Sequence, residues 1–161
     1  MSAKYLDQLT WDLGRAYYAY VGMIERVLVA AELDHLLRPG MGHVLFTLYE
    51  QDDLSIKEIA IRSHLAPSTL TGLLKQMGKA GVVSRHRDRT DGRLVRIRLT
   101  SLGREIENKC RGMLRKVTRI AQEAVGKQNV PQAKCMLQGL TEAFNREEHR
   151  LARQQAATSV G

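Results

Sequence analysis

Apolar residues recur at spacings of three and four along Leu6, Leu9, Leu13, Ala16, Tyr20, Ile24, Val27 and Ala31, the stripe of an amphipathic helix over 5–33. A stripe of about four heptads is longer than one small core needs and predicts a partner helix. Arg38-Pro39-Gly40 interrupts the pattern. Pro39 suits the first turn of a second helix over 40–50, whose apolar face is Val44, Leu45 and Leu48. Asp52-Asp53 reads as a surface turn. Ser55-Ile56-Lys57-Glu58 then fits a capping box and opens a short helix over 56–62, with Ile56, Ile59 and Ala60 inward. His64-Leu65-Ala66 is a tight link to a helix opened by Pro67. Leu70, Leu73, Leu74 and Met77 face inward there, and Gly81 closes it.

The period then changes. Val82-Val83-Ser84-Arg85-His86-Arg87 reads as a strand, and Asp88-Arg89-Thr90-Asp91-Gly92 as a turn containing Asp-Gly. Arg93-Leu94-Val95-Arg96-Ile97-Arg98-Leu99 alternates basic with apolar, the pattern of a half-exposed strand. Thr100 caps a long helix over 101–125, striped by Leu102, Ile106, Cys110, Met113, Val117, Ile120 and Ala124. Gly126 and Asn129-Val130-Pro131 break it. A last helix over 131–153 carries Ala133, Leu137, Leu140, Phe144 and Leu151, and the small polar tail 154–161 reads as frayed.

Two short helices in tandem fit a helix-turn-helix, in which the start of the second helix, here Ser68, Thr69 and Thr71, meets base edges. An ordinary helix hairpin fits that pair equally well. The arginine-tipped hairpin that follows decides for a winged helix, because arginines on a slender loop suit the negative potential of a narrow minor groove. The predicted fold is mostly α, a winged helix-turn-helix with N- and C-terminal dimerisation helices and a two-stranded β wing. Residues 1–37 form the N-terminal dimerisation helix, 38–100 the DNA-binding lobe and 101–161 the C-terminal dimerisation helices.

Charge sharpens this picture. Residues 1–61 carry five Lys/Arg against nine Asp/Glu, residues 62–98 nine against two, and residues 99–161 eleven against six. A positive excess focused on one short segment is the footprint of a polyanion partner. At 161 residues and 43% hydrophobic, the chain suits one globular domain with a real core. No window has the roughly 18 uninterrupted apolar residues of a membrane span. Met1-Ser2-Ala3-Lys4-Tyr5 has no apolar region of a secretory signal, so a cytoplasmic protein is expected. Cys110 and Cys135 make neither a disulfide framework nor a metal quartet. Cys110 lies on an apolar stripe, which favours a structural thiol over a redox switch. His35, His43, His64, His86 and His149 share no metal-binding spacing, and no glycine pattern cradles phosphate. Neither an enzyme nor a resident metal or cofactor is expected.

The order of elements, together with Asp91-Gly92-Arg93 through Leu99-Thr100 as a D-x-R-x-x-x-x-x-L-T signature, resembles the MarR family of bacterial and archaeal regulators. The resemblance covers about residues 5–150 and is most specific over 55–104. It implies a homodimer on double-stranded DNA, with Ser68, Thr69 and Thr71 approaching the major groove and Lys75 meeting phosphate a turn further on. It also implies that Arg93 reaches the minor groove, that Asp91 holds the wing and its arginine, and that Arg85 opens the wing. Arg87 and Arg89 add wing charge. Gly72 stands where many relatives carry arginine, and Met41-Gly42 where they often carry glutamine and an aromatic.

The family's sensing of small molecules directs attention to Trp11, Arg15 and Tyr18, which share a face of the first helix at i, i+4 and i+7. His43 could approach that face. Such a set would suit an aromatic carboxylate effector, but dimer packing, with Arg15 paired to an acid such as Asp12 or to a partner's acid, is the favoured explanation. The implied function is a sequence-specific transcriptional regulator, a repressor released by an effector. The alternative is a non-specific architectural DNA-binding protein.

Overall fold

A computed structural model describes residues 3–158 and the side chains of residues 8–155. The chain divides into two compact units, Met1–Arg115 and Lys116–Gly161. Its elements are α1 Ala3–Ala30, α2 Met41–Glu50, β1 Leu54–Ser55, α3 Ile56–Ser63, α4 Pro67–Lys79, β2 Val83–Arg87, β3 Val95–Leu99, α5 Ser101–Glu105, α6 Glu107–Val125 and α7 Val130–Thr158, the last preceded by a 3-10 turn at Lys127–Asn129.

The core of the first unit is built from the inward positions of the short elements. Val44 and Leu45 of α2, Leu54 of β1, Ile59 of α3, Leu70, Leu74 and Met77 of α4, Val82, and Ile97 of β3 are fully buried. Helix α1 contributes only its C-terminal end, where Val27 and Leu28 are buried, while Leu9 and Tyr20 earlier on its stripe are exposed. The side chain of Leu6 lies outside the described residues. Helix α1 closes at Glu32, in the left-handed region at φ 58, with the Leu33 N–H donating back to the Leu28 carbonyl at 2.9 Å. The next helix starts later than the proline suggests: Gly40, at φ 90, is its N-cap.

Ser55 and Glu58 form the expected capping box, Ser55 Oγ accepting from the Glu58 N–H at 3.2 Å and the Glu58 carboxylate from the Ser55 N–H at 2.8 Å. Such caps contribute about 1 kcal/mol. The sheet has three strands, in the order β1-β3-β2, all antiparallel. The two-stranded wing is thus joined by Leu54–Ser55, paired with Ile97 and Arg96.

The helix predicted over 101–125 is interrupted at Ile106. There the Tyr49 hydroxyl donates to the Gly103 carbonyl at 2.9 Å, the acceptor an uninterrupted helix would offer to residue 107. Gly103 is buried against β2: a Cβ on it would stand 2.2 Å from the Val82 carbonyl oxygen. Thr100 caps α5, accepting from the Gly103 N–H at 3.0 Å and donating to the Gly81 carbonyl at 2.6 Å. In the second unit α7 runs on through Thr158, past the expected end of that helix. Leu137, Phe144 and Leu151 of its stripe are exposed.

Candidate nucleic-acid interface

Helix α4 turns Leu70, Leu74 and Met77 into the core, which fixes its outward face: Ser68, Thr69, Thr71, Gly72, Lys75 and Lys79 are exposed. The link before it is closed by His64 in the left-handed region at φ 54. Thr71 donates its hydroxyl to the Pro67 carbonyl at 2.8 Å, leaving its oxygen lone pairs and its methyl group for a partner. At Gly72 there is open space where a side chain would be, so the middle of this face is bare backbone.

In the wing, β2 and β3 pair so that Arg85 opposes Ile97 and Arg87 opposes Val95. The tip is organised by Asp88, which the sequence reading passed over. Its Oδ1 accepts from the Thr90 N–H at 2.8 Å, the Thr90 hydroxyl at 2.6 Å and the Asp91 N–H at 3.0 Å. These bonds, the Thr90 hydroxyl first, hold the Asp88 carboxyl well below the usual carboxylate range. Asp91 plays a smaller part, accepting from the Arg93 backbone N–H at 3.0 Å.

The basic residues fall into two classes. Arg96 is clamped between two carboxylates, its Nε 3.0 Å from Asp53 Oδ1 and its Nη1 3.2 Å from Asp88 Oδ2, and it also donates to the Asp53 carbonyl. Arg98 Nη2 lies 2.7 Å from Asp53 Oδ2, and Arg104 pairs with Asp52. His86 Nε2 sits 3.0 Å from Asp53 Oδ1. Asp53 holds this position with its backbone at φ 60, and the Arg98 hydrogen bond, followed by Arg96, keeps its carboxyl well below the usual range. The expected surface turn at Asp52-Asp53 is therefore an anchor for the β3 arginines. The hint in the sequence was the adjacent acid pair ahead of a strand whose every second residue is arginine.

Arg85, Arg87, Arg89 and Arg93 of the wing, with Lys75 and Lys79 of α4, form the second class. All are exposed, and among the described residues none makes an ion pair. Between α4 and β2 lies an open groove of about 680 Å3, lined by Thr71, Leu74, Lys75, Gly78, Lys79, Val83, Ser84 and Arg85.

The candidate effector residues sit elsewhere. Trp11 and Tyr18 are 72% and 75% exposed. Arg15 is paired with Asp12, as the packing reading of that face anticipated. Tyr18 packs edge-on against Tyr17, ring centroids 5.5 Å apart. His43 lies on α2 with its carbonyl accepting from the Thr47 hydroxyl at 2.8 Å. Cys110 is buried, and burial pushes its thiol up in pKa; Cys135 is exposed. Among the described residues no three metal-ligating side chains cluster, and no helix is long and apolar enough to cross a membrane.

The MarR family model matches residues 37–95. The HTH-type transcriptional regulator TtmR of Methylorubrum extorquens is 48% identical over 103 residues, 64% of this chain and 51% of TtmR. The chain spans about half the length of the curated relatives it matches. Among solved structures, the PcaV transcriptional regulator of Streptomyces coelicolor in complex with its natural ligand has a TM-score of 0.69 at 18% identity, covering 84% of this chain and 91% of PcaV. The transcriptional repressor CouR bound to a 23-mer DNA duplex has a TM-score of 0.68 at 20% identity, covering 87% of this chain and 97% of CouR. These two likenesses establish the fold.

Proposed function

We propose that this chain is a MarR-family transcriptional regulator that grips duplex DNA as a homodimer, a reading supported by the MarR family model over residues 37–95 and by the 48% identity to TtmR over 103 residues. The observation that carries this reading is the division of its cations. Asp52, Asp53 and Asp88 neutralise Arg96, Arg98 and Arg104, whereas Lys75, Arg85, Arg87, Arg89 and Arg93 face solvent with no carboxylate partner among the described residues. Unpaired cations on one helix face and an adjoining hairpin suit phosphate and groove contacts.

In this reading Ser68, Thr69 and Thr71 enter the major groove and Lys75 meets phosphate. Arg93 enters the minor groove, aimed by Asp88 and Asp91, and Arg85, Arg87 and Arg89 add phosphate contacts. The apolar positions left exposed on α1 and on α7 are the surfaces a second copy would cover. The regulator acts as a repressor, as CouR is described, and an aromatic carboxylate releases it by displacing Asp12 from Arg15 between Trp11 and Tyr18.

Binding to duplex selected from a random library tests the core of this reading. With about six phosphates neutralised per dimer, log K falls against log salt with a slope of about −5. A slope near zero would sink DNA binding, and equal affinity for every duplex would leave the architectural reading in its place.

A further inference from the structure

The outward face of α4 is bare at its centre. With about 100° of turn per residue, Gly72 stands almost directly opposite the buried Leu70, Leu74 and Met77, and the space beyond its Cα is open. The helical neighbours of that position, at i±3 and i±4, are Ser68, Thr69, Lys75 and Gln76, all exposed. They rim a dent whose floor is backbone. Among the described residues the Gln76 side chain makes no hydrogen bond, while its backbone carbonyl accepts from the Ala80 N–H at 2.9 Å. Its carboxamide is therefore free for a partner.

Direction and chemistry supply the rest. A side chain on a helix leans toward the helix N-terminus and covers the preceding turn. Gln76 stands about 6 Å beyond Gly72 along the axis, so its carboxamide leans back over the bare backbone, where no side chain obstructs it. Lysine offers donors alone, and serine and threonine a single hydroxyl whose proton rotates to suit. Among the exposed side chains of α4, only that of Gln76 sets a fixed donor beside a fixed acceptor, the complement of the N7 and N6 edge of adenine in the major groove. We propose that Gln76 reads one adenine in each half-site across the dent at Gly72, and so determines specificity at that position. The proposal rests on the DNA-binding reading above and adds to it a base-reading residue.

Selection from a random duplex library at one salt concentration, run with the unsubstituted chain, Gln76→Ala and Gln76→Glu, tests this. Alanine and glutamate are both good helix formers and position 76 is exposed, so both variants fold, with Tm level with the unsubstituted chain. Gln76→Ala should lose adenine at one position per half-site, keep the consensus elsewhere and bind the original site about tenfold more weakly. Gln76→Glu should move that position from adenine to cytosine, whose N4 amino group donates to a carboxylate. The slope of log K against log salt should be unchanged in Gln76→Ala, because no charge is removed. An unchanged consensus in both variants, or a uniform weakening of Gln76→Ala on every duplex as a backbone contact would give, overturns the assignment while DNA binding stands. A flat slope for the unsubstituted chain overturns both.

Discussion

At the scale of the residue, similar arginines do different work according to what carboxylate each meets. Arg93 is exposed, its backbone N–H fixed by Asp91, and it should act through minor-groove potential, which depends weakly on base identity. Arg93→Ala should therefore weaken binding with the consensus intact. Thr71→Ala, which removes a hydroxyl and a methyl able to touch a base edge, should cost about 1–3 kcal/mol on the preferred site and relax one position. Paired site selections at one salt concentration check this, and the opposite pattern would reverse the two roles. Asp53 makes a second case. Its folded-state pKa lies below its unfolded value of about 3.9, so its contribution to stability is fully present above that value and fades as the pH falls through the folded one. Asp53→Asn should lower the urea midpoint at pH 7, and the gap from the unsubstituted chain should narrow below pH 4. A constant gap would mean that the Arg96 and Arg98 pairs do not stabilise the fold.

Elements are held together by a few close approaches that glycine makes possible and a few that it leaves empty. At Gly103 the start of α5 lies so near β2 that a methyl group would collide with the Val82 backbone. Gly103→Ala should destabilise the lobe by about 1–3 kcal/mol, the usual cost of overpacking. Gly72, on the bare face of α4, has open space around it, and Gly72→Ala should stabilise the helix by up to about 1 kcal/mol. Thermal or urea unfolding of the pair reads both signs. A neutral Gly103→Ala would show that α5 can draw away from β2. The same approach brings the Tyr49 hydroxyl to the Gly103 carbonyl and accounts for the break at Ile106, which no Gly or Pro at that position announces.

On the scale of the whole molecule, the core of the first unit takes in its short helices and sheet, the end of α1 at Leu28 and the start of α6 at Cys110, yet large apolar side chains on α1 and on α7 remain exposed, among them Leu9, Leu137, Phe144 and Leu151. Such side chains are what the second copy proposed above would cover. Leu137→Glu with Phe144→Glu should convert a dimer to a monomer in sedimentation without loss of the lobe's circular dichroism, and an unchanged mass would remove α7 from the interface. A two-fold dimer also dictates a pseudo-palindromic site with half-sites about 10–10.5 bp apart, which footprinting tests directly.

The sequence by itself determined what is local. Periods of 3.6 and 2, a capping box at Ser55 and Glu58, Pro67 at a helix start and an Asp-Gly turn placed α2, α3, α4 and the wing, because each signal acts between neighbours a few residues apart. It also carried the exposed face of α4, since Leu70, Leu74 and Met77 could turn only one way. The fate of the arginines was different. Arg93, Arg96 and Arg98 look alike in a strand that alternates, and only tertiary structure brings Asp53, 43 residues before Arg96, onto that strand. The ladder responsible, β1 to β3, is two residues long, too short to leave a period in the chain. The groove beside α4 belongs to the same class, for its walls come from a helix and a strand whose spacing is set by the packing of Leu74 and Val83.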